Sequence, residues 1–371
     1  NAMPRHIARQ GKPPKRPTHL PRTAPSTNQI SDLTVGGKPT MGDLLHNGPN
    51  ALIEAWLNKR FITFHNCNFV FKLWTDPSCF MAKKSSTKKL KTTVLRSSKG
   101  AKSSKSSFVM VFYQGSLLDG TEFDANYNFT TFEVVEGRTP FDLQLGAGQV
   151  IQGWDKGLVG RRIGEVFKLD IPADLAYGEE GAGDRIPPDS PLTFKIEVLA
   201  AAAPEDQQWT YGSFEDIGVN TKKLGLTASM LELIERNKVG LNGNDALIGS
   251  DQTDLLIGLK GNDRLVGNRG GDVLIGGKGK NTFVYTAIAD SRQRAGKQDQ
   301  ILGFRKNTDK LDLSGFNQEL RFIGSDPFKG TAGDVRFKKG TLEMDHDGDG
   351  SADFAVLMSG VKSLKGSNLI L

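Results

Sequence analysis

The sequence predicts a multi-domain protein in which an α+β domain is followed by an all-β region. Three observations carry that prediction. The chain has 371 residues, too many for one ordinary domain. Between Phe108 and Leu199 the stretches SFVMVFYQG, EVFKLDIP and LTFKIEVL alternate apolar and polar residues with period two, and only VIQGWDKGLVG carries helical turns. From Gly240 to Tyr285 a strict nine-residue repeat takes over.

Composition divides the chain at 1–107, 108–199, 200–239, 240–285 and 286–371. Residues 4–25 are rich in Pro, Arg and Lys and bury too little apolar surface to order themselves. Met41 to Leu57 reads as helical. The apolar run Phe61 to Trp74 lacks a small-residue cleavage site and makes a poor secretory signal. Composition changes abruptly at Met81, which is read as the native start, with residues 1–80 an upstream over-extension; a genuine extension is the alternative. Ala82 to Ser107 holds nine basic residues, eight serines and no acid. It reads as a solvated, disordered linker in preference to a nucleic-acid or membrane-surface arm.

The net charge of +6 conceals an asymmetry. Up to Ser107 there are 19 Lys or Arg against 4 Asp or Glu, and thereafter 29 against 38. A basic arm precedes an acidic body, so the overall charge argues for no nucleic-acid partner. No apolar run approaches the roughly 18 residues of a membrane helix. Both cysteines, Cys67 and Cys79, precede Met81, so no disulfide staples the chain from Met81 onward.

The stretch Pro140 to Pro188, PFDLQLGAGQVIQGWDKGLVGRRIGEVFKLDIPADLAYGEEGAGDRIPP, has no His, Cys or Ser placed as a nucleophile or general base. Together with VFYQGSLLDGTEFDAN (Val111 to Asn126) and SPLTFKIEVL (Ser190 to Leu199), it resembles the FKBP-type peptidyl-prolyl cis-trans isomerases. The resemblance implies a half-open antiparallel sheet around a short helix. It also implies proline-containing peptide or protein substrates, macrolide inhibitors of the rapamycin type, and no cofactor for catalysis. The segment between Asp124 and Pro140 is longer than in minimal members, so NFTTFEVVEG is expected to enlarge a loop or add an edge hairpin.

That chemistry needs no covalent step. An X-Pro amide rotates over a barrier of about 18–20 kcal/mol, which makes uncatalysed exchange slow. The twisted amide is less polar than the planar one, so a dry aromatic pocket favours it over water. By position in the family pattern, Trp154 is the floor and Tyr113, Phe123, Phe141, Val150, Ile151 and Phe194 are the walls. Tyr177 offers its hydroxyl to the substrate carbonyl, Asp124 faces the twisted carbonyl or holds neighbouring groups, and Ile186 sits on the flap. Ala182 and Arg185 depart from the family flap and are expected to alter sequence preference.

Glu205 to Val239 reads as a connector, with Thr227 an N-cap before ASMLELIERN; the two cores are expected to be joined only through it. The repeat GLNGNDALI, GSDQTDLLI, GLKGNDRLV, GNRGGDVLI, GGKGKNTFV resembles the RTX nonapeptide, a calcium-binding parallel β-roll. The resemblance places Asp245, Asp254, Asp263 and Asp272 at the metal-facing position. With two repeats per coil, Asp245 pairs with Asp263 and Asp254 with Asp272, and such carboxylates repel unless a hard cation separates them. Asn281 breaks the pattern, so about two to four calcium ions are expected. Asp345, Asp347, Asp349 and Asp353 have a DxDxDGxxD spacing, either a further calcium loop or a solvated acidic turn.

Gln298 to Leu371 resembles the carboxy-terminal region of serralysin-like exoproteins, and Asn368-Leu369-Ile370-Leu371 resembles the ends of type I secretion substrates. The full expectation is an FKBP-like antiparallel sheet around a short helix, then a parallel β-roll and a C-terminal β region. It would be a secreted, calcium-stabilised isomerase whose partners include the type I secretion machinery. The alternatives are a calcium-dependent extracellular protein that docks proline-containing segments without turnover, or a cytoplasmic location.

Overall fold

Three alternating segments build the first sheet. The computed structural model describes residues 89–205, 208–294 and 296–371. The helix read at Met41–Leu57, the start at Met81 and both cysteines lie outside them. Strands run in the order Lys91–Arg96, Val166–Ile171, Leu192–Ala202, Phe108–Leu117, Glu122–Ala125, with Phe141–Gln144 also on Phe108–Leu117, and every pairing is antiparallel. Leu192, Phe194, Ile196 and Val198 all point to one face and pack with Phe167, Leu169 and Ile171 around Trp154 and Leu158. Those last two lie on the helix Gln152–Leu158. The helix carries two glycines because it lies close to the sheet: a Cβ on Gly153 would stand 2.4 Å from Ile171. Packing, not propensity, therefore holds it.

The sheet begins earlier than the sequence implied. Lys91–Arg96 pairs with Val166–Ile171, so this part of the serine- and lysine-rich segment is an edge strand and not a solvated linker. Its β-branched Thr92, Thr93 and Val94 suit a strand.

The nonapeptides form two parallel sheets. One runs Arg236–Val239, Asp254–Ile257, Val273–Ile275, Asp299–Leu302; the other Ala246–Ile248, Arg264–Val266, Thr282–Val284, Lys310–Asp312, Leu369–Ile370. Registers such as Leu247 against Leu265 and Leu256 against Leu274 are 18 residues apart. Leu247, Leu256, Leu265, Leu274 and Phe283 are fully buried between the sheets. The region after Tyr285 is not separate, because Phe354–Ser359 and Leu369–Ile370 extend the same two sheets.

The connector is structural as well. Thr227 accepts a hydrogen bond from Met230 N and caps the helix Ala228–Leu233. Phe214, Ile217, Val219, Leu226 and Ile234 cover one face of the roll over Leu255, Ile257, Val273 and Ile275.

The two cores are not joined by that connector alone. Phe112, Val166 and Leu199 occupy the outer face of the antiparallel sheet, Leu199 as the extra residue of a bulge opposite Met110 and Val111. They share one apolar cluster with Tyr127, Phe129 and Phe132 and with the leucine ladder of the roll. The longer segment after Asp124 supplies those aromatics, as a hairpin of Tyr127–Asn128 with Glu133–Val134. Lys238, on the first strand of the roll, donates to Thr131 O and to Glu133 at 2.9 Å. Arg96 is 2% exposed, pairs with Glu197 and donates to the carbonyls of Val239 and Gly240. Among the described residues no helix is long and apolar enough to cross a membrane, a statement that leaves strands aside.

Candidate active site and cation sites

Each wall of the ring pocket comes from a different element. Tyr113 lies on Phe108–Leu117, Phe123 and Asp124 on Glu122–Ala125, Phe141 on Phe141–Gln144, Trp154 on the helix and Phe194 on Leu192–Ala202. Trp154 meets Phe194, Tyr113 and Phe141 edge-on at centroid distances of 5.1, 5.4 and 6.2 Å. Phe123 stands edge-on to Phe194 at 5.5 Å. Edge-to-face contacts of this kind fix ring orientation as well as burying area. Val150 and Ile151 pack on the same cluster as the chain enters the helix. The indole N–H of Trp154 is buried without a partner, leaving an unused donor in an apolar setting.

The polar rim is already engaged. Tyr113 donates its hydroxyl to Asp124 Oδ2 at 2.6 Å, and Arg138 Nη2 lies 2.7 Å from Asp124 Oδ1. Burial, then the hydrogen bond and charge of Asp124, push the Tyr113 hydroxyl well above its ordinary pKa. Tyr177 precedes the turn Gly178–Glu180 and is 41% exposed. Burial and then the charge of Asp124 raise its pKa too. Ile186 is buried and exchanges two backbone hydrogen bonds with Ala182. Arg185 on this flap donates to Phe123 O at 2.9 Å, tying flap and wall together.

The predicted metal-facing carboxylates stack as expected from their spacing. Asp245 N donates to Asp263 Oδ1 at 3.0 Å, and Asp254 N to Asp272 Oδ1 at 2.8 Å. Asp254, Asp263 and Asp272 are buried, and Asp254 Oδ1, Asp263 Oδ2 and Asp272 Oδ2 have no hydrogen-bond partner. A Cβ on Gly258 would lie 2.3 Å from Asp263 Oδ2 and 2.6 Å from Gly276 O, so carboxylate and carbonyl oxygens converge on one small space. Burial pushes Asp263 up to about 7, and burial with the charge of Asp299 raises Asp272. Buried carboxylate oxygens without donors, beside a carbonyl oxygen, fit a hard cation such as calcium. Asp345, Asp347 and Asp353 bring oxygens within 4.8 Å of one another, whereas Asp349 lies outside that group and accepts from Ser351 N. Both oxygens of Asp345 already accept backbone N–H groups, from Gly348 and Gly350.

Residues 99–199 match the family described as FKBP-type peptidyl-prolyl cis-trans isomerase, and residues 206–371 match the Peptidase M10 serralysin C terminal family. The chain is 40% identical over 107 residues to FK506-binding protein 1 of Dictyostelium discoideum, covering 29% of this chain and 92% of that protein. It is 41% identical over 105 residues to the FK506-binding protein of Neisseria meningitidis serogroup C, covering 28% and 89%. The chain belongs to the FKBP-type peptidyl-prolyl cis-trans isomerase family. Against FK506-binding protein 2 of Dictyostelium discoideum it is 45% identical over 89 residues, which cover 24% of this chain and only 61% of that relative's length. This FKBP-type chain thus fuses an isomerase-family domain to a serralysin-like carboxy-terminal region.

Sequence reasoning missed several residues of the FKBP-type chain's second half. Asp272 N donates to Asp299 Oδ1 at 2.9 Å and Asn281 N to Asp309 Oδ1 at 3.1 Å, so Asp299 and Asp309 are the next rungs of the two stacks. Both precede the signature x-Ile/Leu of the ladder, in Asp299-Gln-Ile301 and Asp309-Lys-Leu311, which could have revealed them. At the Asp309 rung, Arg305 contacts Asp309 and the carbonyl of Gly279. With Asn281 replacing a carboxylate, that rung carries its own cation.

Proposed function

We propose that the chain is a peptidyl-prolyl cis-trans isomerase acting on X-Pro bonds of protein substrates. The observation that supports it most is the ring pocket of Tyr113, Phe123, Phe141, Trp154 and Phe194, which has an aromatic lining and no nucleophile or proton shuttle. In this reading Trp154 is the floor for the proline ring, and Val150, Ile151 and Ile186 complete the apolar wall. That surface disfavours the polar planar amide relative to the twisted one. Tyr177 donates its hydroxyl to the substrate carbonyl. Asp124 is held by Tyr113 and Arg138, so its part is to position them and not to attack or accept a proton.

Calcium is the structural ion in this proposal. Asp245 with Asp263, Asp254 with Asp272, and Asp272 with Asp299 would hold it, together with carbonyls such as that of Gly276. When bound, calcium supplies the positive charge that stacked buried carboxylates lack. Asp345, Asp347 and Asp353 form a further candidate loop. The serralysin-like region supports secretion by a type I route, and folding would then follow calcium uptake outside the cell.

Two assays test this reading. Exchange of a proline tetrapeptide should accelerate with the full chain in calcium; no rate above background would leave the domain a docking module for proline-containing segments. Removal of the carboxy-terminal segment that ends in Asn368-Leu369-Ile370-Leu371 should trap the protein inside a host with a type I exporter. Its recovery outside at full-length levels would end the export reading.

A further inference from the structure

A cavity of about 570 Å³ opens between the segment at Ser97–Lys99, the connector and the outer face of the roll. Its size falls in the range of small-molecule sites. It shares no residue with the ring pocket, so a ligand bound there is independent of the isomerase reading.

The interior is apolar. Ile217 and Val219 from the connector face Leu259, Ile275 and Leu302 from the roll. Leu259 adopts φ of +70°, where the equivalent position one coil on is Gly277 at +82°. A leucine in this left-handed region carries backbone strain, and here its partly buried side chain becomes part of the cavity wall.

The rim is basic. Lys99, Lys223, Lys260 and Lys278 all line the cavity and are exposed. None of the four forms an ion pair among the described residues. Lys260 and Lys278 bridge each other in parallel register on successive coils, which stacks two like charges about 4.8 Å apart at the backbone. Like charges on neighbouring strands repel, and an anion between them relieves that repulsion. Asp216 is the acidic residue of the lining, and its Oδ2 is taken by Ser213 N and Oγ at 2.9 and 2.8 Å.

We propose that this cavity binds an anionic amphiphile, a medium-chain carboxylate whose alkyl tail enters between connector and roll while its head group meets the lysine rim. Charge complementarity selects the head, and the apolar walls select the tail.

Isothermal titration of the full chain with decanoate, in the presence of calcium, tests it. The expected result is a saturable one-to-one isotherm with Kd of about 10–100 μM. Octanoate should bind roughly tenfold more weakly, because each buried methylene adds about 0.8 kcal/mol. Acetate should give no saturable heat, and decyltrimethylammonium should bind at least tenfold more weakly than decanoate. The paired variant Lys260→Glu with Lys278→Glu should lose at least tenfold in affinity with an unchanged circular dichroism spectrum. Lys99→Glu with Lys223→Glu, on the facing wall, should do the same and serves if the first pair misfolds. Absence of saturation, equal binding of the cationic amphiphile, equal binding of acetate, or wild-type affinity in a folded charge-reversed variant would each overturn the proposal.

Discussion

The ring pocket and the carboxylate stacks are opposites in how their polar atoms are satisfied. In the pocket, rings lock one another edge to face, and the charge of Asp124 is matched by Tyr113 and Arg138. In the stacks, Asp254, Asp263 and Asp272 bury oxygens with no donor at all. The pocket is therefore complete from its own side chains. In the proposed reading a cation completes the stacks, except where Arg305 provides the positive charge. The polar rim of the pocket is paired and partly exposed, whereas the buried, unpartnered oxygens of the stacks leave room for a ligand.

The largest way to break the contrast is to remove calcium. One ion at a hundred times its Kd stabilises by about 2.7 kcal/mol, so three such sites contribute on the order of 8 kcal/mol. Chelation should lower the melting temperature of the roll by more than about 10 °C, read by circular dichroism. Because Phe112, Tyr127 and the leucine ladder share one core, the isomerase-family domain should lose stability with it. An isomerase transition that does not move at all would show that the shared core contributes little.

Next come single side chains. Trp154→Ala empties the pocket floor and should cost about 3–5 kcal/mol of stability, with at least a tenfold fall in kcat/KM for a proline tetrapeptide. Arg96→Met leaves Glu197 charged and buried, a loss of about 3–5 kcal/mol. Adding Glu197→Leu should recover most of it, and a double variant as unstable as the single would refute the ion pair as the cause. Tyr177→Phe removes one hydrogen bond, so kcat/KM should fall only about two- to tenfold, consistent with about 0.5–1.5 kcal/mol.

The smallest expected effect is of pH. Burial and Asp124 raise the pKa of both Tyr113 and Tyr177. A raised tyrosine pKa keeps the hydroxyl protonated to higher pH, so the donor is present throughout the neutral range. Tyr177 should therefore contribute no titration to the activity profile from about pH 6 to 9, and a fall inside that window that disappears in Tyr177→Phe would exclude it as a protonated donor.

Much of this was legible in the sequence, for identifiable reasons. The ladder Leu247 to Phe283 and the carboxylate pairs follow from an unbroken period. The ring pocket followed from motif spacing and not from periodicity, since Tyr113, Trp154 and Phe194 are far apart in the chain. Asp299 escaped because the segment after Tyr285 interrupts the nine-residue count before the ladder resumes. The strand Lys91–Arg96 escaped because flanking serines and lysines dominate any composition window around it. The shared core was invisible for a different reason: Phe112 reads as one more residue of an alternating strand, and nothing local says that its outward face is covered.

That cover bears on assembly. A parallel coil begins with an unpaired strand, here Arg236–Val239, whose far side would otherwise template a neighbour of the same kind. Solenoids manage such ends with a dedicated terminal plug. Here Arg96 occupies the carbonyls of Val239 and Gly240, Leu95 O takes the N–H of Asn242, and the hairpin around Phe132 grips Lys238. The isomerase-family module thus packs over the start of the roll, where the first parallel strand has a partner on one side only.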